Sequence, residues 1–191
     1  MRWMGEGKGD PMSDKLFHGD PARLRAPERM ALLEVDRVVA VSLADLVVKN
    51  VLDVGTGTAV FAEAFANLGL DVTGVDLNPE MTEWARRHVP AARFEVGAAE
   101  RLPFPDRSFD LVFLGHVLHE SDEPGQALGE AKRVARQRIV VLEWPYRQEE
   151  YGPPLEHRLK PETIETLLRD QRLERFERVA LRNMELYRIA I

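Results

Sequence analysis

Hydrophobic and polar positions along this chain alternate between two periods, and the alternation predicts one α/β unit. From Pro27 onward Met30, Leu33, Val38, Val41 and Leu43 recur at roughly helical spacing, and Pro27 suits a first helical turn, so a lead helix is expected here. Short apolar runs and helical patterns then take turns. Lys49 to Val54 reads as a buried strand, followed by Gly55-Thr56-Gly57-Thr58 and a helix through Leu68. Asp71 to Val75 predicts a second strand, and Pro79 to His88 a helix opened by Asn78 as N-cap. Ala92 to Val96 predicts a third strand. Arg101 to Ser108 is a Pro-rich loop, Phe109 to Leu114 a nearly all-apolar fourth strand, Gln126 to Ala135 a helix, and Arg138 to Leu142 a fifth strand. Trp144 to Arg158 is a loop carrying Gly152-Pro153-Pro154, and Pro161 to Asp170 a last helix. Two short segments, Phe176 to Leu181 and Glu185 to Ile191, close the chain.

Such alternation predicts a parallel sheet with helices on both faces, because each crossover lays its helix against the sheet. The two closing strands are joined by a short turn, which only an antiparallel hairpin allows. Residues 1–26 are read as a flexible leader and lid segment, Gly-rich and aperiodic over Met1 to Met12, and residues 27–191 as one domain.

Composition narrows the picture. The 191 residues carry 32 acidic and 26 basic side chains, a formal net charge of −6, and no Lys/Arg block stands out. A nucleic-acid partner needs a concentrated basic face, so it is disfavoured. The absence of cysteine excludes a disulfide framework, a thiolate zinc site and a cysteine nucleophile, and it fits a reducing cytoplasm. The stretch Val38 to Val48 is interrupted by Ser42 and Asp45 and is too short to span a bilayer, so no membrane role is expected.

The strongest local signal is Asp53-Val54-Gly55-Thr56-Gly57-Thr58-Ala59, between a strand and a helix. Glycines there permit a tight turn and close approach of the backbone to a ligand, and the following helix offers free N–H groups. The bland reading is a Gly-rich turn with no ligand. A dinucleotide fingerprint needs a third glycine where Val60 stands, and Asp53 would repel a phosphate but welcome a cation. Asp76, 23 positions further on, closes the second strand, where an acid can accept hydrogen bonds from both ribose hydroxyls. A ligand with an amino-acid end and a ribose, but no pyrophosphate, suits both acids.

These segments resemble the class I S-adenosylmethionine-dependent methyltransferases, in the small prokaryotic type 11 branch related to ubiquinone-biosynthesis methyltransferases. VLDVGTGTA, VTGVDLNPEM, GAAERLPFPDRSFDLV and LGHVLHE each resemble a family motif, and the likeness runs from Val51 to Leu142. It implies a Rossmann-like, doubly wound, seven-stranded, mostly parallel sheet in the order 3-2-1-4-5-7-6, with the last strand antiparallel and an N-terminal helical lid. It also implies S-adenosylmethionine as cofactor. Gly55 and Gly57 would line its methionine end, Asp53 would help hold the ammonium and Asp76 the ribose, with Thr56 and Gly115 also among the cofactor contacts. Leu77 and Met81 would flank the adenine, with Ala98 and Ala99 at its edge. Ala98 departs from the family, where many relatives place an Asp that accepts from the adenine amino group.

Ligands of doubly wound sheets sit at the carboxyl ends of the strands, which directs attention to His116, His119, Glu120, Glu143, Trp144 and Tyr146. His116, directly after the fourth strand, and Glu143, ending the fifth, are the candidate catalytic residues. His119 is read as a packing residue and Trp144 as either packing or an aromatic platform. His18 is a candidate lid residue. His116 and His119 lie three apart, but without cysteine or a third ligand at useful spacing no metal is expected. Elimination leaves a small-molecule methyl acceptor, aromatic or quinone-like. Two other readings stay open: a non-catalytic protein that binds S-adenosylmethionine or S-adenosylhomocysteine and regulates a partner, and a nucleotide-dependent oxidoreductase. A homodimer would form through the lead helix and the outer sheet face.

Overall fold

A computed structural model describes residues 21–191; the leader of residues 1–20, including His18, lies outside the described residues. Seven strands form one sheet in the order β3-β2-β1-β4-β5-β7-β6, as the family resemblance implies. They are β1 (Asn50–Val54), β2 (Asp71–Asp76), β3 (Arg93–Val96), β4 (Phe109–Gly115), β5 (Ala135–Glu143), β6 (Phe176–Ala180) and β7 (Glu185–Ala190). β1 to β5 run parallel, whereas β7 pairs antiparallel with both β5 and β6. The closing hairpin is present, and it gives the sheet its antiparallel strand.

Among the described residues six α-helices cover the sheet: α1 (Pro27–Leu33), α2 (Val35–Leu43), α3 (Val60–Asn67), α4 (Pro79–His88), α5 (Pro124–Val134) and α6 (Pro161–Asp170). The period-2 pleat sorts the strand residues between them. Leu52, Val54, Val112, Leu114, Ile139 and Val141 point to one face and pack against α5 and α6. Their neighbours Val51, Leu111, Phe113, Val140 and Leu142 point to the other and meet residues of α1, α2, α3 and α4. Both faces are therefore apolar, which is why the central strands read as continuous hydrophobic runs. Asn78 caps α4, its side chain accepting from Glu80 N at 2.9 Å.

Two boundaries differ from the sequence pattern. The lead helix is two helices, broken at Glu34, which adopts a left-handed conformation (φ 47°). The break lets Glu34 accept a hydrogen bond from Asn183 N at 3.1 Å, a partner 149 positions away. The helix placed over Gln126 to Ala135 spans Pro124–Val134, and β5 follows without a loop. Arg136 and Gln137, just before the strand read from Arg138, hid the start of β5 because they are polar. In the fold Arg136 pairs with Asp110 at 3.0 Å, Gln137 reaches Val47 O, and Arg138 donates to Ser42 O and Ala44 O.

Candidate active site

The carboxyl ends of β1, β2 and β4 open into a cavity of about 370 Å³, within the usual size of a small-ligand site. Its floor is the turn after β1. Gly55 and Gly57 take φ of +65° and +50°, and a Cβ on Gly55 would meet Val117 Cγ2 at 2.5 Å, so only glycine lets the chain turn here. Ala59, where a third glycine is common in the family, is also left-handed (φ 58°) and begins α3. Beyond the glycines, Asp76 accepts from Gly57 N and from Asn78 N, both at 2.8 Å, one bond on each oxygen. Each oxygen keeps a lone pair for a ligand.

All ten residues read from the sequence as cofactor contacts line this one cavity: Asp53, Gly55, Thr56, Gly57, Asp76, Leu77, Met81, Ala98, Ala99 and Gly115. Asp53 is 2% exposed and accepts from Thr56 Oγ1 at 2.6 Å. Burial pushes its carboxyl up to about 7; hydrogen bonds from Thr56 and the Ala62 main chain oppose the rise, and the charge of Asp76 adds to it. Burial also raises Asp76, against its two main-chain hydrogen bonds. Ala98 offers no side-chain acceptor. Nearby, Glu100 lines the cavity and accepts a hydrogen bond from Ser121 Oγ.

The two candidate catalytic residues are separated by the fold. His116 lines the cavity in a left-handed conformation (φ 63°), its ring 5.1 Å from that of Trp144. Both ring nitrogens are buried and have no hydrogen-bond partner among the described residues. Burial holds its pKa well below the ordinary histidine value, helped by the charges of Arg29 and His119. Glu143 is 1% exposed and does not line the cavity. Its Oε1 accepts from Leu118 N at 2.9 Å and His119 N at 3.4 Å, and its Oε2 accepts from His119 Nδ1 at 2.6 Å. The direct role read for Glu143 from the end of the fifth strand is thereby revised: it braces, from beneath, the loop that carries His116. Burial opposes charge on His119, but Glu143's charge and hydrogen bond, with Glu120's charge, outweigh it and hold the ring above its ordinary pKa.

The segment before α1 forms a short 3-10 turn, Pro21–Arg25. Leu24 lines the cavity. Arg25 donates to Thr58 O through Nε and Nη2 at 3.0 and 2.8 Å, pairs with Glu63 at 2.7 Å and lies over the Trp84 ring at 5.3 Å. The sequence reading missed Leu24, Arg25 and Arg29. Arg29 had a signal: it stands four residues before buried Leu33, on the same helix face.

Solved structures share this architecture. An S-adenosylmethionine-dependent methyltransferase from Aquifex aeolicus superposes with a TM-score of 0.78 at 23% identity, over 91% of this chain and 99% of that one. A magnesium protoporphyrin IX methyltransferase from Synechocystis, solved with bound S-adenosylhomocysteine, does so with a TM-score of 0.69 at 18% identity, over 97% of this chain and 90% of that one. The fold is that of the S-adenosylmethionine-dependent methyltransferases. Within that class, residues 52–141 match the family model described as a methyltransferase domain. A demethylmenaquinone methyltransferase of Renibacterium salmoninarum is 36% identical over 148 residues, covering 76% of this chain and 57% of the relative. A demethylmenaquinone methyltransferase of Chlorobaculum tepidum is 41% identical over 88 residues, covering 46% of this chain and 36% of the relative. Over residues 52–141 the chain is similar to the class I S-adenosylmethionine-dependent methyltransferases of the type 11 branch. It spans little more than half of the Renibacterium relative and about a third of the Chlorobaculum one.

The cavity fits S-adenosylmethionine. Its glycine turn leaves no room for a Cβ at Gly55, and its acids complement a ligand bearing an ammonium and a sulfonium. One consequence concerns pH. Asp53, raised to about 7, would have to lose its proton to hold an ammonium, so binding is expected to strengthen as pH rises through 7. Calorimetry with S-adenosylhomocysteine between roughly pH 5.5 and 7.5 is expected to show affinity falling up to about tenfold per unit on the acid side. Asp53→Asn is expected to bind weakly with a flat profile; an unchanged pH dependence in that variant would remove Asp53 from the ammonium site.

Proposed function

We propose that the protein transfers a methyl group from S-adenosylmethionine to a small-molecule acceptor by in-line displacement. The observation that carries the reading is the convergence of all ten expected cofactor contacts on one cavity, with His116 at its wall. When bound, the cofactor supplies an activated methyl group on a sulfonium, which needs no covalent help from the protein. The work left to the chain is to bind, to orient and to manage a proton. Main-chain groups of Gly55, Thr56, Gly57 and Gly115 bind the methionine end beside Asp53. Asp76 accepts from the ribose hydroxyls. Leu77 and Met81 flank the adenine, while Ala98 and Ala99 meet its edge through the backbone.

His116 is proposed as the proton acceptor. Its imidazole is neutral near pH 7 and both nitrogens lack partners among the described residues, a deficit that the O–H or N–H of an acceptor would relieve. Glu143 serves it as a positioning residue through Leu118 and His119. The acceptor is proposed to be flat and quinone-like, in keeping with Trp144 beside His116 and with relatives named as demethylmenaquinone methyltransferases. A cavity lined by carboxylates and a net charge of −6 argue against nucleic acid. No helix among the described residues is long and apolar enough to cross a membrane. We place the protein in the cytoplasm on its lack of cysteine. A homodimer through α1 and the outer sheet face belongs to the same reading.

The test is calorimetric titration with S-adenosylmethionine, with NAD in parallel. Saturable binding of the first alone is expected, weakened about 10- to 100-fold in Asp76→Ala by loss of hydrogen bonds to a charged acceptor. Folded protein that binds neither would reduce the reading to a statement about fold. Saturable binding without methyl transfer to any quinol or phenol would favour a regulatory protein instead.

A further inference from the structure

The loop between β5 and α6 is built around one buried arginine. Arg158 follows the short 3-10 turn Leu155–His157, and only 1% of its side chain is exposed. Its Nε donates to Pro153 O at 2.9 Å, Nη1 to Pro145 O and Arg147 O, both at 3.0 Å, and Nη2 to Tyr151 O at 2.6 Å. Glu149 balances the charge through Nη1 at 2.9 Å. Burying a guanidinium is costly unless its donors are met, and all three nitrogens are bound to the loop itself. Four of the five partners are main-chain carbonyls, so Arg158 sets the course of the backbone from Pro145 to Pro153. That course runs against an indole. Gly152 is left-handed (φ 84°), and a Cβ there would meet Trp144 Cδ2 and Cε3 at 2.8 Å. The guanidinium lies over the same ring, its Cζ 5.5 Å from the centre.

Trp144 is therefore shared between the loop and the site. Its ring is 5.1 Å from that of His116, which lines the cavity, whereas Trp144, Gly152 and Arg158 do not. No hydrogen bond among the described residues fixes the imidazole of His116, since both ring nitrogens lack a partner there. A general base is ordinarily oriented by a third group that binds its far nitrogen. Here packing has to serve. Of the two rings against His116, Trp144 at 5.1 Å is nearer than His119 at 6.4 Å. We infer that Arg158 is a positioning residue for methyl transfer: it holds the loop after β5 against Trp144, and the indole orients the ring of His116. The inference rests on the reading of His116 as proton acceptor and deepens it. Glu143 braces the main chain beside His116, and Arg158, acting through an indole, aims the side chain. The clamp lies outside the matched residues 52–141. Lysine cannot replace it, because an ammonium has no planar fork to reach carbonyls on several sides.

Nuclear magnetic resonance of isotope-labelled histidine rings tests this without cofactor or acceptor, and His116→Asn assigns the signal. In wild type the His116 ring is expected to titrate well below 6.5, because it is buried against the indole and faces the charges of Arg29 and His119. In Arg158→Lys the signal is expected to move up toward 6.5 as water reaches a loosened ring, while His119, tied to Glu143, keeps its own titration. Gly152→Ala, which drives a methyl group into the indole, is expected to do the same and serves if Arg158→Lys does not fold, as circular dichroism melts will show. Turnover with a naphthoquinol as acceptor is expected to fall about 10- to 100-fold in Arg158→Lys, with affinity for S-adenosylmethionine within about twofold of wild type. In a His116→Asn background the same substitution is expected to cost less than about twofold, since the ring it aims is gone. A His116 titration unmoved in the folded variants would overturn the inference. Undiminished turnover would overturn it too, as would equal losses with and without the His116 ring. Folded wild type that bound no S-adenosylmethionine, or passed no methyl group to the quinol, would remove that part of the methyltransferase reading, and the His116 signal would still decide the role of Arg158.

Discussion

Replacing His116 by Asn is expected to lower turnover about 100-fold or more, the range for loss of a proton acceptor, while the dissociation constant for S-adenosylmethionine stays within about twofold of wild type. Asn is the appropriate replacement because position 116 is left-handed, a conformation Asn tolerates, so the variant tests the ring rather than the backbone. The split between kcat and cofactor affinity follows from the geometry. His116 lies against Trp144 and touches none of the ribose or glycine-turn hydrogen bonds. Its lowered pKa adds a pH signature. At saturating cofactor the wild-type rate is expected to remain level down to pH values where an ordinary histidine would already be protonated. A quinol acceptor and a radiolabelled methyl donor provide the assay. Equal losses in rate and in cofactor affinity would show that His116 shapes the cavity and takes no proton.

Glu143→Ala is expected to cost about 3–5 kcal/mol of stability, the penalty for breaking a buried, hydrogen-bonded ion pair. The carboxylate satisfies two main-chain N–H groups and the imidazole of His119, all in the interior, and alanine would leave the three donors without an acceptor. Glu143→Gln keeps an acceptor oxygen and loses the charge, so a smaller loss of about 1–2 kcal/mol is expected from the same hydrogen-bond economics. The pair also has a pH dependence of known sign. His119 is raised above its ordinary value of 6.5 by folding, so the stability it contributes is fully present below 6.5 and disappears as pH rises through the folded value. Urea denaturation at a series of pH values should therefore show the gap between wild type and Glu143→Gln narrowing as the solution becomes alkaline. A gap independent of pH would mean that His119 is neutral beside Glu143. Since the brace holds the loop of His116, the alanine variant should also lose kcat more than cofactor affinity.

The parts of this protein that were legible in the sequence are those governed by neighbours along the chain. Strand β4 is apolar at every position but Asp110 because both of its faces are covered, and α4 announces itself through Asn78 and Pro79. The glycine turn could be read for the same reason, since a positive φ at Gly55 and Gly57 is a property of those residues. The start of β5 could not, because Arg136 and Gln137 look polar until Asp110 and Val47 come alongside to bind them. The break at Glu34 depends on Asn183, which no local pattern can supply.

Sequence alone determined the α/β layering, the closing hairpin, the glycine turn and the two acids at the ends of β1 and β2, because helical period, strand period and turn chemistry act over a few residues. Tertiary structure alone decided what each polar group does. It turned Glu143 from a candidate catalyst into a brace for His119, left the nitrogens of His116 without partners among the described residues, and brought Arg29 from the lead helix to a cavity lined by acids. The physical reason is that the charge and hydrogen bonding of a buried side chain are set by groups far away in the chain, and only the packed fold brings those groups within reach.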